Sequence, residues 1–216
     1  MIGAKWPEAD VTSECIDAFL AGTETTSTSL SYMMYTLSNR RDVMDKLQAE
    51  VDSIMALDEI PPIQLLARQP YLNAVIKESL RLFTPALGSL DRIVPKGGMV
   101  FDNVFLPAGT ATGLQSYTCH RDPAIWPEPF EFKPERWLSE TPEMKNAFVP
   151  FSVGGRSCPG QNLAMFDLRL FLSMLSRNFN VEPAAETTPA SMEPMDLTTV
   201  SPRGGKVALH FFPRDR

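Results

Sequence analysis

Cysteine and histidine are scarce in this chain, which has three cysteines and two histidines among 216 residues. Cys15, Cys119 and Cys158 lie far apart and form no CxxC pair. Structural zinc sites and disulfide frameworks need closer or more numerous cysteines, so the sequence argues against both. We therefore expect free thiols in a reducing compartment.

Long apolar runs are also missing. No stretch approaches the roughly 18 to 20 apolar residues that a membrane-spanning helix needs. The first ten residues contain Trp6, Pro7, Glu8 and Asp10 in place of the apolar centre of a secretory signal. The sequence thus predicts no transmembrane segment in this chain and names no organelle.

Strong charge of either sign is absent as well. The net charge is −6, and charged residues make up 21% of the chain. This balance gives no reason to expect nucleic acid or an anionic lipid surface as a partner. Hydrophobic residues reach 44%, an ordinary value for a globular protein, so we interpret residues 1–216 as one domain.

Apolar residues recur at helical spacing in several segments of the chain. The predicted helices cover residues 10–38, 41–55, 71–83 and 160–177. Short β-prone runs within 90–118, separated by turn residues, predict small sheets. Residues 121–150 are rich in proline and large rings, which is typical of an ordered but irregular meander. We expect a tail after 178 with a closing strand over 207–212, and a mainly α fold with small β-sheets (α+β).

A glycine-rich loop carries the third cysteine. It reads FSVGGRSCPG from Phe151 to Gly160, directly before the last predicted helix. The free N–H groups and dipole of a helix start, together with the charge of Arg156, favour a thiolate at Cys158. A thiolate can act as a nucleophile, a redox centre or a metal ligand, and the loop alone leaves these open. The alternative is a buried thiol with a structural role and no chemical function.

The first predicted helix contains a weak patch of sequence AGTETT, residues 21–26. Glycine inside a helix costs about 1 kcal/mol relative to alanine. A helix that keeps such a patch often borders a groove or a ligand there.

Four segments, in this order along the chain, resemble motifs of the cytochrome P450 family. Residues 21–26 match [AG]Gx[DE]T[TS], and residues 78–81 match ExxR. Residues 134–137 (PERW) resemble the PERF element, and residues 151–160 match FxxGxRxCxG. The resemblance runs from about residue 9 to the end. It implies the C-terminal half of the cytochrome P450 fold, with the N-terminal half absent and the fold incomplete without it.

The resemblance implies an enzyme class and its cofactor. Family members of this kind are heme-thiolate monooxygenases, which insert one oxygen atom from O2 into an apolar small molecule. The implied cofactor is heme b, with Cys158 as the axial ligand of the iron. Electrons would come from NADPH through a flavoprotein reductase. The motifs look eukaryotic and point to a fungal enzyme of secondary metabolism, held at the endoplasmic reticulum surface if an anchor lies upstream.

The same resemblance assigns roles to individual residues. Gly22 would let heme and oxygen approach the helix, while Glu24 and Thr25 would supply and relay protons for O2 activation. For Thr25 the alternative is a hydrogen bond to a helical carbonyl. The residues implied to bind the cofactor are Cys158, Arg156, Arg92, Gly22, Phe151 and Gly160.

Charged and polar residues complete the implied site. Arg156 and Arg92 would contact the heme propionates, although Arg92 is also explained as a solvated surface charge. His120 is a weaker candidate for a further polar contact to the heme, and an ordinary structural role is favoured for it. Glu78 and Arg81 would join Arg136 in a buried ion network behind the heme. The alternative for Glu78 and Arg81 is an exposed ion pair on the surface of the helix.

Two other functions stay open from the sequence. One is a heme-thiolate enzyme that rearranges or uses peroxides, which Glu24 and Thr25 disfavour because it needs no proton delivery to O2. The other is a heme-binding remnant or inactive interaction module without turnover. Absence of the N-terminal half predicts an exposed apolar surface where it would pack. Candidate pocket residues are Phe19, Ala86, Leu87, Ser89 and residues 194–200, and basic residues that could meet a reductase are Lys133, Arg136, Lys145 and Arg169.

Overall fold

The computed structural model describes residues 6–54 and 60–214. The helices in these ranges are α1 (Glu8–Asn39), α2 (Arg41–Asp52), α3 (Ile63–Leu66), α4 (Pro70–Leu82), α5 (Ser116–Cys119), α6 (Pro142–Ala147) and α7 (Gln161–Asn178). No helix among the described residues combines the length and apolar character needed to cross a lipid bilayer.

The strands of the described part of the chain form four antiparallel pairs. The pairs are β1 (Ser89–Ile93) with β4 (Ala111–Gln115), β2 (Met99–Phe101) with β3 (Val104–Leu106), β5 (Phe179–Pro183) with β8 (Leu209–Pro213) and β6 (Pro194–Leu197) with β7 (Thr199–Pro202). The predicted mainly α architecture with small β-sheets is confirmed.

The second half of α1 packs with α2, α4 and α7 around the main core. Each of these helices buries a stripe of apolar side chains at three- and four-residue spacing, which is why the periodicity predicted them. Fully buried members include Met33, Leu37, Val43, Leu47, Leu72, Ile76, Leu168 and Leu172. Since burying one such side chain contributes about 1.5–3 kcal/mol, this core supplies most of the stability of the fold.

The first half of α1 lies outside that core. Every residue from 6 to 24 is exposed, and close packing of the helix begins only at Ser29. Its large apolar side chains therefore face solvent; they are Val11, Ile16, Phe19 and Leu20. Three apolar side chains of α7 are exposed as well: Leu163, Phe166 and Phe171. The predicted exposed apolar surface is confirmed on these two helices.

The meander between β4 and α7 is ordered by large rings. Trp126 is fully buried, and its Nε1 donates to the carbonyl of Cys119 at 2.9 Å. Trp137 lies against it with a ring separation of 5.4 Å. These contacts form a second small core on α4, because Ala74 of that helix belongs to the same cluster. The segment is ordered as expected, but it is less irregular than predicted, because it includes a 3-10 helix at Pro134–Ser139 and helix α6.

The structure corrects the prediction of an irregular tail after residue 178. Strand β5 follows α7 directly, and the β6–β7 hairpin occupies 194–202. These strands are four or five residues long and carry proline at their ends, so they give almost no alternating pattern to read. The closing strand was predicted at nearly its observed place. Helix α2 ends at Asp52, and Met55, its predicted end, lies outside the described residues.

A buried carboxylate links α4 to the meander. Glu78 and Arg81 lie one turn apart, and both side chains are 0% exposed. Arg81 Nε and Nη2 each donate to a Glu78 carboxylate oxygen at 2.9 Å. Arg136 Nε donates to the same carboxylate at 3.0 Å, the Lys133 backbone N–H at 2.9 Å and Trp137 Nε1 at 2.9 Å. The alternative of an exposed helix pair is therefore excluded.

Arg81 uses its remaining donors on backbone carbonyls of the same region. Its Nη1 donates to His120 and Pro129 at 2.7 Å each, and its Nη2 donates to Glu131 at 3.1 Å. With the two bonds to Glu78, all five guanidinium N–H groups are paired. The network thus satisfies a fully buried cation while it fixes the path of the meander.

We predict that Glu78→Gln destabilises the protein by about 3–5 kcal/mol, because two guanidinium groups lose their buried counter-charge. Urea unfolding followed by circular dichroism measures this free energy. The matched control is Glu193→Gln, which removes the carboxylate of an exposed pair with Arg203 at 2.7 Å and should leave the unfolding midpoint unchanged. Equal changes in the free energy of unfolding for the two substitutions would show that the buried Glu78 network adds no more stability than an exposed ion pair.

Candidate heme-binding site

The cysteine loop, residues 151–160, is closed by a backbone hydrogen bond. The Cys158 N–H donates to the Phe151 carbonyl at 2.9 Å. Ser152 and Gly154 adopt left-handed backbone angles, with φ of 59° and 77°, which turn the chain sharply. Phe151 packs against the main core, so the start of the loop is anchored while its remainder projects outward. The loop then enters α7 at Gln161.

Cys158 is a free and exposed thiol at the start of α7. Gly160 precedes that helix, and no side chain caps its first N–H groups. The positive end of the α7 dipole therefore lies at the end of the cysteine loop. A Cβ at residue 160 would lie 3.8 Å from the Cys158 sulfur, so glycine leaves the sulfur uncrowded on that side. The alternative of a buried structural thiol does not agree with this exposure.

The weak patch on α1 stays helical. Helix α1 runs unbroken through residues 21–26, and a Cβ at Gly22 would meet nothing within 4 Å. The helix surface at Gly22 is therefore open to a bulky neighbour. The Thr25 hydroxyl donates to the Ala21 carbonyl at 2.7 Å, which is the bond that the alternative for Thr25 predicted. Its oxygen can still accept a hydrogen bond from water.

Glu24 has a partner that the sequence did not reveal. The hydroxyl of Thr199 donates to Glu24 Oε2 at 3.2 Å, although the two residues are 175 positions apart. Thr199 follows the β6–β7 turn, where Thr198 has a φ of 81°. The hairpin is fixed in place because the Val200 N–H donates to the Pro85 carbonyl at 2.8 Å. No motif signal connects segments so distant in sequence.

Arg156 and Arg92 are both exposed. Arg92 Nη1 donates to the carbonyl of its neighbour Asp91 at 2.8 Å. Within residues 6–54 and 60–214, neither arginine has a carboxylate partner in an ion pair. Both charges can therefore meet an external carboxylate, for which the planar guanidinium is well suited.

The donor set at Cys158 selects among the chemistries of a thiolate. Among the described residues, no group of three or more His, Cys, Asp or Glu side chains could hold a metal ion. A zinc site is therefore disfavoured, because zinc needs several protein ligands. One exposed thiolate fits a metal whose other ligands belong to a macrocycle, as in heme-thiolate proteins. Positions 22, 154 and 155 are also open, since a Cβ there would meet nothing within 4 Å.

Comparison with known proteins agrees with this donor set. The family model for cytochrome P450 matches residues 3–209. The chain belongs to the cytochrome P450 family. It is 37% identical to cytochrome P450 3A12 of Canis lupus familiaris over 182 residues, which are 83% of this chain and 36% of that relative. It is 40% identical to cytochrome P450 monooxygenase orf2 of Aspergillus niger over 159 residues, which are 74% of this chain and 32% of that relative.

The cytochrome P450 chain described here thus spans about a third of the length of these two curated relatives. Cytochrome P450 3A19 of Capra hircus aegagrus is 34% identical over 208 residues and is covered to 94% of its length. Family membership implies a heme cofactor, and the residues described above fit that group.

Some predicted pocket residues of this P450 chain come together and others do not. Leu87 and Pro194 line one shallow groove beside the β6–β7 hairpin, together with Tyr117 and Asp196. Phe19 lies on the exposed half of α1, with 71% of its surface accessible. Residues 194–200 were named from the sequence as pocket candidates in a loop, and the structure shows that they belong to a hairpin beside this groove.

His120 is a second residue whose setting the sequence did not indicate. Its side chain is 0% exposed, in agreement with the ordinary structural role favoured for it. Its Nε2 lies 3.0 Å from the backbone nitrogen of Val149, and its Nδ1 lies 3.2 Å from the Arg81 carbonyl oxygen. The ring also lies 5.5 Å from that of Phe148.

Burial lowers the pKa of His120 from its ordinary 6.5 to about 4. The main cause is desolvation, which disfavours the charged imidazolium. The positive charges of Arg121 and Arg81 lower the pKa further, and the hydrogen bond to the Arg81 backbone opposes the shift. The folded protein therefore holds His120 neutral at pH values where the unfolded chain already binds a proton.

We predict that the stability of the protein falls as the pH drops from about 6.5 to about 4, because over this range only the unfolded His120 is protonated. The contribution of His120 is complete above pH 6.5 and amounts to about 3 kcal/mol. Urea unfolding at a series of pH values measures the slope. The His120→Gln variant cannot titrate at this position, so its slope over the same range should be flatter, and identical slopes would contradict the prediction.

Proposed function

We propose that this chain forms the heme-binding part of a heme-thiolate monooxygenase, with heme b as its cofactor. The reaction is insertion of one oxygen atom from O2 into an apolar small molecule. The observation that carries the proposal is the exposed, free Cys158 thiol at the start of α7, where no other described protein ligand could complete a metal site. Membership of the cytochrome P450 family supports the same cofactor.

Each residue of the cysteine loop has a defined task in this proposal. Cys158 would hold the heme iron through its sulfur, and the N–H groups of the α7 start would moderate the negative charge on that sulfur. When bound, the heme supplies the redox-active iron at which O2 is activated. Arg156 and Arg92 pair with propionate carboxylates, and Gly160 and Phe151 keep the loop in position.

Proton supply falls to the exposed part of α1. Glu24 is the carboxyl group that would pass protons toward the site, and the Thr199 hydroxyl orients it by a hydrogen bond of 3.2 Å. The Thr25 hydroxyl is fixed by its bond to Ala21, so its lone pairs orient a water molecule at a constant place on the helix. Gly22 leaves room for the cofactor edge beside these two groups.

The electron source in this proposal is NADPH, acting through a flavoprotein reductase. The basic residues named from the sequence add little support for a docking surface. Arg136 is bonded inward to Glu78, Arg169 Nε donates to Asn73 at 2.8 Å, and Lys133 pairs with Glu128. Of the four residues, Lys145 is exposed and stays the candidate for such a contact.

The substrate proposed is an apolar molecule of medium size. Large exposed apolar side chains on α1 support this class. A fungal origin and a place in secondary metabolism would agree with the 40% identity to the Aspergillus niger monooxygenase.

We predict that Cys158→Ser removes the thiolate signature from the absorption spectrum of the hemin-reconstituted protein. The measurement is the Soret band of the reduced protein under carbon monoxide. The control is Cys15→Ser, which deletes another exposed free cysteine and should leave the band in place. A Soret band typical of histidine or free heme in the unmodified chain would defeat the proposal, as would identical spectra for Cys158→Ser and the unmodified chain.

Substitution of Thr25 by alanine is expected to uncouple NADPH consumption from product formation. The reason is that water loses its fixed acceptor at the site of proton delivery. The measurement is the ratio of product to NADPH in the presence of a reductase. Thr12→Ala is the matched control, because the Thr12 hydroxyl makes the same type of bond, to the Glu8 carbonyl at 2.9 Å, outside the motif. Unchanged coupling in Thr25→Ala would refute the relay.

These measurements also separate the remaining alternatives. A thiolate spectrum with reductase-dependent oxidation supports the monooxygenase. A thiolate spectrum with turnover of peroxides alone indicates a peroxide-using enzyme. Heme binding without either activity indicates a remnant that binds cofactor but does not turn over.

A further inference from the structure

A continuous set of hydrogen bonds joins α4 to the cysteine loop, and His120 is its central member. The ring Nδ1 contacts the Arg81 carbonyl at 3.2 Å, and Nε2 contacts the Val149 N–H at 3.0 Å. The Val149 carbonyl accepts from the Ser152 N–H at 3.0 Å. One residue earlier, the Phe151 carbonyl accepts from the Cys158 N–H at 2.9 Å.

The bonds fix which ring nitrogen carries the proton. Val149 can only donate through its backbone N–H, so Nε2 must be an acceptor and the proton lies on Nδ1. Thr84 leads to the same tautomer by a separate route. Its hydroxyl donates to the Leu80 carbonyl, so its oxygen, 3.1 Å from Nδ1, can only accept from the ring. Two independent partners therefore require the same form of His120.

Two hydrogen bonds of opposite direction join His120 and Arg81. The Arg81 guanidinium donates to the His120 carbonyl at 2.7 Å, while the His120 ring donates to the Arg81 carbonyl. The His120 ring is therefore fixed to the Glu78 network through the backbone and through its side chain. Such a ring has no freedom to follow a moving loop, so the loop must adapt to the ring.

We infer that His120 is a positioning residue for Cys158: its Nε2 fixes the Val149 N–H and thereby the turn whose Phe151 carbonyl holds the cysteine backbone. The role requires an acceptor at the place of Nε2, on a residue whose backbone is held by the bond from the Arg81 guanidinium to the His120 carbonyl. It does not require heme, and its importance for iron ligation rests on the proposed function. A histidine that only fills space would show no such dependence on one nitrogen.

A pair of substitutions separates the two ring nitrogens. Asparagine places a donor at the same bond count from Cβ as Nδ1, so His120→Asn keeps a donor for Arg81 and loses the acceptor for Val149. Glutamine places an acceptor at the bond count of Nε2, so His120→Gln keeps the contact to Val149 and loses the one to Arg81. Both variants lose the ring beside Phe148. Loss of packing is therefore matched between them.

The measurement is amide hydrogen exchange of the chain by NMR. In His120→Asn, protection of the Val149 and Cys158 amides should fall about tenfold, as expected for loss of one buried hydrogen bond. In His120→Gln, both should stay within about twofold of the wild type. The amide of Leu47 in α2, which is in the main core, reports any general loosening. Unchanged protection at Cys158 in His120→Asn, or equal losses in both variants, would overturn the inference.

The wild-type protein offers a test that does not depend on the folding of a variant. The nitrogen-15 shifts of the His120 ring should show the proton on Nδ1 at pH 7, with scalar coupling between Nε2 and the Val149 amide nitrogen. A proton on Nε2 would overturn the inference. Failure of hemin reconstitution would defeat the proposed function and leave these results unaffected, so the two failures are distinguishable.

Discussion

The carboxylate of Glu78 is the constraint on which the side of the molecule around the cysteine loop depends. Five N–H groups from α4 and the meander donate to its two oxygens, and the Glu78 side chain is 0% exposed. A buried negative charge of this kind is stable only with its partners in place, so it specifies where the meander must run. Arg81 carries the constraint onward, because its other donors hold the carbonyls of His120, Pro129 and Glu131.

The two halves of the candidate site are held in different ways. The cysteine loop is tied to the interior at Phe151 and at Val149, so its backbone is fixed by packing and by hydrogen bonds. Glu24 and Thr25 lie on a helix whose surroundings are mostly open, and the contact from Thr199 reaches Glu24 from the β6–β7 hairpin. The cysteine-loop half of the candidate site is thus rigid, while the α1 half depends on a short hairpin for its shape.

The sequence predicts the parts of the fold that have a strong period. Helices α1, α2, α4 and α7 bury regular apolar stripes, and their bounds were predicted to within a few residues. Strands β5, β6 and β7 escaped prediction because a two-stranded ribbon of four or five residues has too short a pattern. The motif residues of the cysteine loop and α4 could be named in advance, because these segments resemble cytochrome P450 motifs.

Contacts between distant segments could not be named in that way. Nothing in the sequence pairs Glu24 with Thr199 or His120 with Val149, because each pair meets only after the helices have packed. No apolar periodicity and no motif around His120 predicts which of its ring nitrogens carries the proton. Its tautomer follows from the hydrogen-bond partners of the buried N–H and carbonyl groups around Arg81, and only the structure identifies those partners.

The uncovered half of α1 has a consequence for how any covering surface would bind. An isolated helix is costly to start in water, since forming the first turn is unfavourable. Here the half beyond Ser29, embedded against α2, α4 and α7, supplies that nucleus, and the remainder only has to propagate from it. A partner surface would therefore meet a preorganised apolar ridge of Val11, Ile16, Phe19 and Leu20, with little backbone entropy left to lose on contact.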